Sequence, residues 1–285
     1  MRDVFVADLR SPGVVLGGLA VTLGVTNAIF HTIVEIALEL PADYSIQDAD
    51  GGPLLSDDRQ LCPGHYLILS DVPVLPSPQR YFTRTVSVTT GTRLQSFKQQ
   101  VRARDGRCVI SKVPSLGPLY GIWDSFEAAH IVPLAYASEW HNRGFPNLVS
   151  LPPLPPHEND KINSVQNGLL MQSNFHNLFD CYHFSILPEE DYKIVFFQPD
   201  VHGLAGTSLD RELLDDGRRP LDAFLRWHFE QAVLCNVRGA GEPVFDSDFP
   251  PGSDMMGDIL SAPNAAERRE FELLTRLGAS QILPE

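Results

Sequence analysis

The apolar positions of the first hundred residues come in short runs broken by turn residues. Residues 4–7, 14–16 and 66–69 read as strands, and 85–90 alternates enough to be another. One stretch between them has the helical period. Ile29, Ile33, Ile36 and Leu40 share a face, Thr26 is placed to cap it and Pro41 to end it. Asp48-Ala49-Asp50-Gly51-Gly52 is a turn, because it lacks the further ligands and closing glutamate of a calcium loop. Pro73, Pro76 and Pro78 mark an extended connection.

The pattern then changes. Residues 94–104 predict a helix, 108–111 a short strand, 123–131 a lead into a second strand, and 136–142 a short helix. The proline-rich 151–156 is a surface loop. Residues 184–187 and 193–197 predict a hairpin about a turn at 188–192. The stretch 221–237 is apolar almost all round, which predicts a buried helix. A last helix is predicted over 265–277, with Asn264 as cap and Glu267 three residues later. Together these give an α+β protein: a β-rich N-terminal subdomain (1–96), a mixed core (97–200) and a helical C-terminal extension (201–285) packed on it.

Composition fits a globular chain, with 43% hydrophobic and 20% charged residues. The apolar stretch 14–25 is broken by Gly17, Gly18 and Gly24. Mixed charges precede it rather than basic ones, so it reads as buried strand and not as a signal peptide. No apolar run reaches membrane-spanning length. Cys62, Cys108, Cys181 and Cys235 are scattered without a paired spacing, which excludes an ordinary zinc ribbon. They read as reduced thiols of an intracellular protein, in cytoplasm or nucleus.

Net charge is −14, and it is uneven: −4 over residues 1–97, zero over 98–185 and −10 over 186–285. A protein that grips phosphates ordinarily presents a basic face. Lys98, Arg102, Arg104 and Arg107 are the densest basic cluster, either a phosphate contact or simply a solvated helix face.

Five of the nine histidines lie between Phe126 and Ile186: His130, His141, His157, His176 and His183. Here Glu127-Ala128-Ala129-His130-Ile131-Val132-Pro133 is followed by Asn163-Ser164-Val165-Gln166-Asn167-Gly168-Leu169-Leu170, then by His176-Asn177-Leu178-Phe179-Asp180. In this order the segments resemble the HNH nuclease family, with its ββα-metal fold, and most closely its fungal branch. The likeness extends to Leu225-Arg226-Trp227-His228-Phe229, to 238–243 and to 254–257, so it covers the chain from about residue 97 onward.

The resemblance implies a metal-dependent endonuclease hydrolysing phosphodiesters of nucleic acid, DNA ahead of RNA. His130 would be the general base, suited to that role by a pKa near working pH. Asn167 would hold the opposing loop and help orient the imidazole, and His176 would ligate one divalent ion, magnesium, manganese or zinc. Many HNH nucleases carry a metal ligand just before the base; here that residue is Ala129. Glu127, on the same strand face, and Asp180, one turn after His176, are the substitutes. Arg104, Arg107, Trp123 and His183 are candidate substrate contacts, with His183 equally at home as a structural residue. These three segments are expected to bring the two imidazoles and the amide to one spot.

The acidic charge and Ala129 keep a second reading open. The same fold, without a metal, could act on a small organic molecule by proton transfer, rearrangement or cyclisation, as in fungal secondary metabolism. A non-catalytic interaction module is a third, weaker option.

Overall fold

Two kinds of pattern, alternating and helical, sort the chain into two cores that share one long helix. In a computed structural model, residues 2–79, 81–82, 92–153 and 161–239 are described. The strand expected at 85–90 and the helix expected at 265–277 fall outside them, as does His157.

In the N-terminal part, β1 (Val4–Asp8) pairs antiparallel with β2 (Val15–Leu19). The helix α1 (Asn27–Ala37) begins where Thr26 accepts a hydrogen bond from the Ile29 amide. It turns its buried face, Ile29, Phe30, Ile33 and Val34, onto the sheet. The two-residue β3 (Leu38–Glu39) follows, then β4 (Tyr44–Asp48), β5 (Gly64–Ser70) and the short β6 (Leu75–Pro76), which pairs with β3. The sheet order is β2-β1-β5-β4, with β1 and β5 parallel and the other pairs antiparallel. Asp48 closes the tight turn after β4 by accepting from the Asp50 and Gly52 amides, which is the turn the sequence predicts.

The second core begins with α2 (Thr92–Asp105), the one-turn α3 (Gly117–Tyr120) and β7 (Phe126–His130). Residues 108–111, expected as a strand, form a turn instead, in which the Lys112 amide closes back on the Cys108 carbonyl. After α4 (Ala137–Asn142) and α5 (Phe145–Leu148) come β8 (Gly168–Gln172) and α6 (Ser173–Asp180). The hairpin β9 (Phe184–Leu187) and β10 (Lys193–Phe196) stands as expected. The one-turn α7 (Arg211–Leu214) leads to α8 (Asp222–Asn236).

The position of α8 explains why its sequence is apolar almost all round. Phe229, Ala232 and Val233 pack into the N-terminal core, while Phe224, Leu225 and Trp227 pack into the second. Arg2 ties its end down by donating to the carbonyls of Asn236 and Gly239, each at 2.6 Å, where a cation complements the helix C-terminus. All described residues lie in one compact unit, Met1–Phe82 with Thr89–Gly241. None of their helices is long and apolar enough to cross a membrane.

The strands β7 and β8 pair antiparallel, His130 opposite Gly168 and Glu127 opposite Met171. The ribbon lies between α2 on one face and α6 on the other. Gly168 is forced by close approach: a Cβ there would stand 2.5 Å from Val101 and 2.7 Å from the Phe97 ring. Gly168→Ala should therefore cost about 1–3 kcal/mol through overpacking, read as a fall in the thermal midpoint. An unchanged midpoint would mean that α2 is not seated on this ribbon.

In the first sheet, the Asp8 carboxylate accepts from the Arg10 side chain and backbone and from the Val74 amide. The Arg10 hydrogen bonds hold its pKa down to about 2. Because the folded pKa lies below the unfolded one, this stabilisation is present above about pH 4 and is lost as pH falls through about 2. The stability gap between wild type and Asp8→Asn should shrink across that window in acid-denaturation curves; a constant gap would contradict the assignment.

Candidate functional site

The pleat of the ribbon decides what each candidate can reach. Alternate side chains of a strand point to opposite faces. Phe126, Ala128 and His130 face α2, where Phe97, Val101 and Leu170 form a small core. Glu127 and Ala129 face the other way, toward α6 with Leu169, Met171 and Phe175.

His130 ends β7 half-buried. Its ring lies flat on Phe97, with centroids 3.8 Å apart and planes 9° from parallel. Its Nε2 stands 3.0 Å from Oδ1 of Asn163. Ala129 beside it is fully buried.

Asn167 is fully buried and acts as a clasp between the two strands. Its Oδ1 accepts from the Val132 amide at 2.9 Å, and its Nδ2 donates to the carbonyls of Val132 and Ile162, also at 2.9 Å. Its own carbonyl accepts from the Ile131 amide. The amide thus fixes the backbone just past His130, whereas the amide oxygen beside the imidazole nitrogen is that of Asn163. The whole polar turn is built this way. Ser164 donates to the Leu151 carbonyl and accepts from the Gln166 amide, and Gln166 accepts from the amides of Ser150 and Leu151.

On the opposite face, His176 projects from α6 between two carboxylates. Glu127 Oε2 lies 2.5 Å from Nδ1, and Asp180 Oδ1 lies 3.3 Å from Nε2. The i, i+4 spacing puts His176 and Asp180 on one helix face, as the sequence implies. The end of α6 is held by His228, which the sequence reading did not single out. This buried imidazole stacks on Phe179 at 3.6 Å, donates from Nε2 to the Phe179 carbonyl and pairs through Nδ1 with the Ser185 hydroxyl.

The two imidazoles therefore do not converge as expected. His130 faces α2, whereas Glu127, three residues earlier on β7 and bound to His176, faces α6.

The basic cluster is also placed differently from the reading that made it a phosphate contact. The side chain of Arg104 is fully buried. It pairs with Asp105 and donates to the carbonyls of Val165, Gly168 and Arg218. Asp105 in turn accepts from the Leu170 amide, and the Val109 amide donates to the Leu170 carbonyl. This segment closes the outer edge of β8, which would otherwise leave buried backbone groups unpaired. Arg107 is bound by Asp210 and Glu212, each at 3.0 Å. Trp123 is half-buried, with Arg102 stacked over it at 4.8 Å and Gly117 against its face. His183 follows α6; its amide donates to the Leu178 carbonyl, and burial lowers the pKa of its ring. The exposed His141 contacts the Ala137 carbonyl of its own helix.

Among the described residues, no three His, Cys, Asp or Glu side chains are grouped to hold a metal ion. Glu127 and Asp180 approach opposite edges of the His176 ring, so they do not form one cage. The pair His176 Nε2 and Asp180 Oδ1 does fit a divalent ion as two of its ligands. Bonds of about 2.1 Å at right angles need donors about 3 Å apart, close to the spacing seen here. With Nδ1–H held by Glu127, the Nε2 lone pair faces Asp180, the arrangement by which outer carboxylates orient ligating histidines.

Residues 108–187 match the family model described as HNH endonuclease. This segment is an HNH domain. Residues 1–75 match a second family model, a domain of unknown function, DUF8573. No curated protein and no solved structure matches the chain. At family level the HNH domain is a nuclease-type hydrolase domain whose expected substrate is nucleic acid, and such nucleases typically use a divalent metal.

The HNH domain rests on the Asn167 clasp. Asn167→Ala would strand a buried amide and two carbonyls, a loss of about 3 kcal/mol. Thermal denaturation should show a midpoint lower by about 6–12 °C for a unit of this size. A shift under about 2 °C would show that the loop holds without the clasp.

Proposed function

We propose that this protein is an endonuclease that hydrolyses phosphodiester bonds in nucleic acid, DNA ahead of RNA, with His130 as its general base. The observation that carries this is the placement of His130. It lies at the end of the first HNH strand, half-exposed, its ring plane fixed by Phe97 and the backbone after it locked by Asn167. A neutral imidazole so held can take a proton from water as that water attacks phosphorus. The buried amide keeps the strand end rigid, which is what a positioned base needs.

His176 and Asp180 would hold one divalent ion, with Glu127 orienting the imidazole. When bound, such an ion supplies charge stabilisation to the phosphorane and the leaving oxygen.

The second reading, a repurposed fold acting on a small organic molecule, draws on charge. The chain carries −14, Arg104 is buried and Arg107 is already paired with two carboxylates. An open cleft of about 540 Å³ exists, but it is lined by Glu35, Phe82, Glu139, Arg143 and Glu230, not by the HNH histidines.

A plasmid-nicking assay with added magnesium or manganese separates the two. Wild type should nick, chelation should abolish nicking, and His130→Ala should lower the rate by about 10²–10⁴-fold. Wild-type protein that cuts nothing with any divalent ion would turn the assignment to the second reading.

A further inference from the structure

The contact between His130 and Asn163 fixes more than the position of a ring. A neutral imidazole has one nitrogen that carries hydrogen and one that carries a lone pair. Only the second can accept a proton, so a general base works only in the correct tautomer. Here Nε2 faces the amide oxygen of Asn163 at 3.0 Å. An amide oxygen can only accept, so Nε2 must carry the hydrogen and Nδ1 the lone pair.

Asn163 is itself held in place. It is 7% exposed, and Lys161 before it takes a left-handed backbone (φ 58°), closed by the Ser164 amide donating to the Lys161 carbonyl. Ser164 and Gln166 anchor the same turn to Ser150 and Leu151. Phe97 lies flat on the imidazole, so the ring cannot swing away from the amide without losing its stack. Plane and tautomer are thus set by two different residues, from a helix and from a turn.

We infer that Asn163 is the positioning residue of His130: it holds the Nε2–H tautomer and leaves Nδ1 as the proton acceptor. The inference rests on the proposed role of His130 as base. Sequence reading pointed to Asn167 for this task; Asn163, four residues earlier in the same turn, does it.

The test is the nitrogen chemical-shift pattern of His130 in selectively labelled protein without substrate, above the titration of the ring. Wild type should show the Nε2–H pattern. Asn163→Leu, which offers no acceptor, should lose that preference, and Asn163→Asp, which retains one, should keep it. In the nicking assay Asn163→Leu should lower kcat about 10–100-fold with KM little changed, and Asn163→Asp should recover part of that loss. An Nδ1–H wild type, or a leucine variant that keeps Nε2–H, overturns the inference; so does a leucine variant with altered tautomer and unchanged kcat. Should the leucine variant not fold, the wild-type pattern and the aspartate variant still decide. A wild type with the Nε2–H pattern that cuts nothing overturns the base assignment and not the tautomer, so the two failures are distinguishable.

Discussion

The HNH domain depends on one buried amide. Asn167 has no exposed surface and satisfies three backbone groups of a loop that has no regular structure of its own. Buried backbone groups must find partners, and loops ordinarily find them in water. Here a side chain supplies them, so residues 131–132 and 162 can be packed without solvent. That lets β7 end sharply at His130 and lets the following chain leave without fraying. The ribbon β7–β8 is then rigid enough to seat α2 on one face and α6 on the other. Gly168 is the complementary device, since its missing side chain is what lets Phe97 and Val101 come so near.

The same economy governs charge. With 36 acidic and 22 basic residues, cations are scarce, and many of those described are committed inside the molecule. Arg104 closes the edge of β8, Arg2 caps α8, and Arg107 and Lys112 share Asp210. Arg143 joins Glu139 and Glu230, and Arg219 joins Asp222. These pairs remove the positive face that a run of basic residues suggests. Any polyanion approaching the ribbon meets little long-range attraction, so recognition would have to come from short-range contacts and from a bound cation.

Much of the fold was legible because it follows local rules. Thr26 caps α1, the 184–196 hairpin forms, and α8 is largely buried, as period and capping predict. The strand at 108–111 failed because Cys108 to Lys112 close a turn of their own, and β4 was missed because its alternation is short and mostly polar. The candidate site was named from the order of its residues, which carries little of its geometry. Alternation correctly put Glu127 on the side of Ala129, yet the same rule sends His130 to the other face, away from His176. The fates of Arg104 and Asn163 depend on partners 64 and 33 positions away, which no local pattern reveals. His228 lies in an apolar helix and gives no polar signal, although it fixes the end of α6.

Amide hydrogen exchange at Val132 tests the clasp most directly. Its N–H donates to the Asn167 side chain in a stretch without secondary structure, where exchange is ordinarily fast. Protection comparable to that of the central amides of β8, lost only on global unfolding, is the expected result. Exchange as fast as that of an exposed loop amide would show that Asn167 does not hold the strand end, and the rigid base built upon it would fall with it.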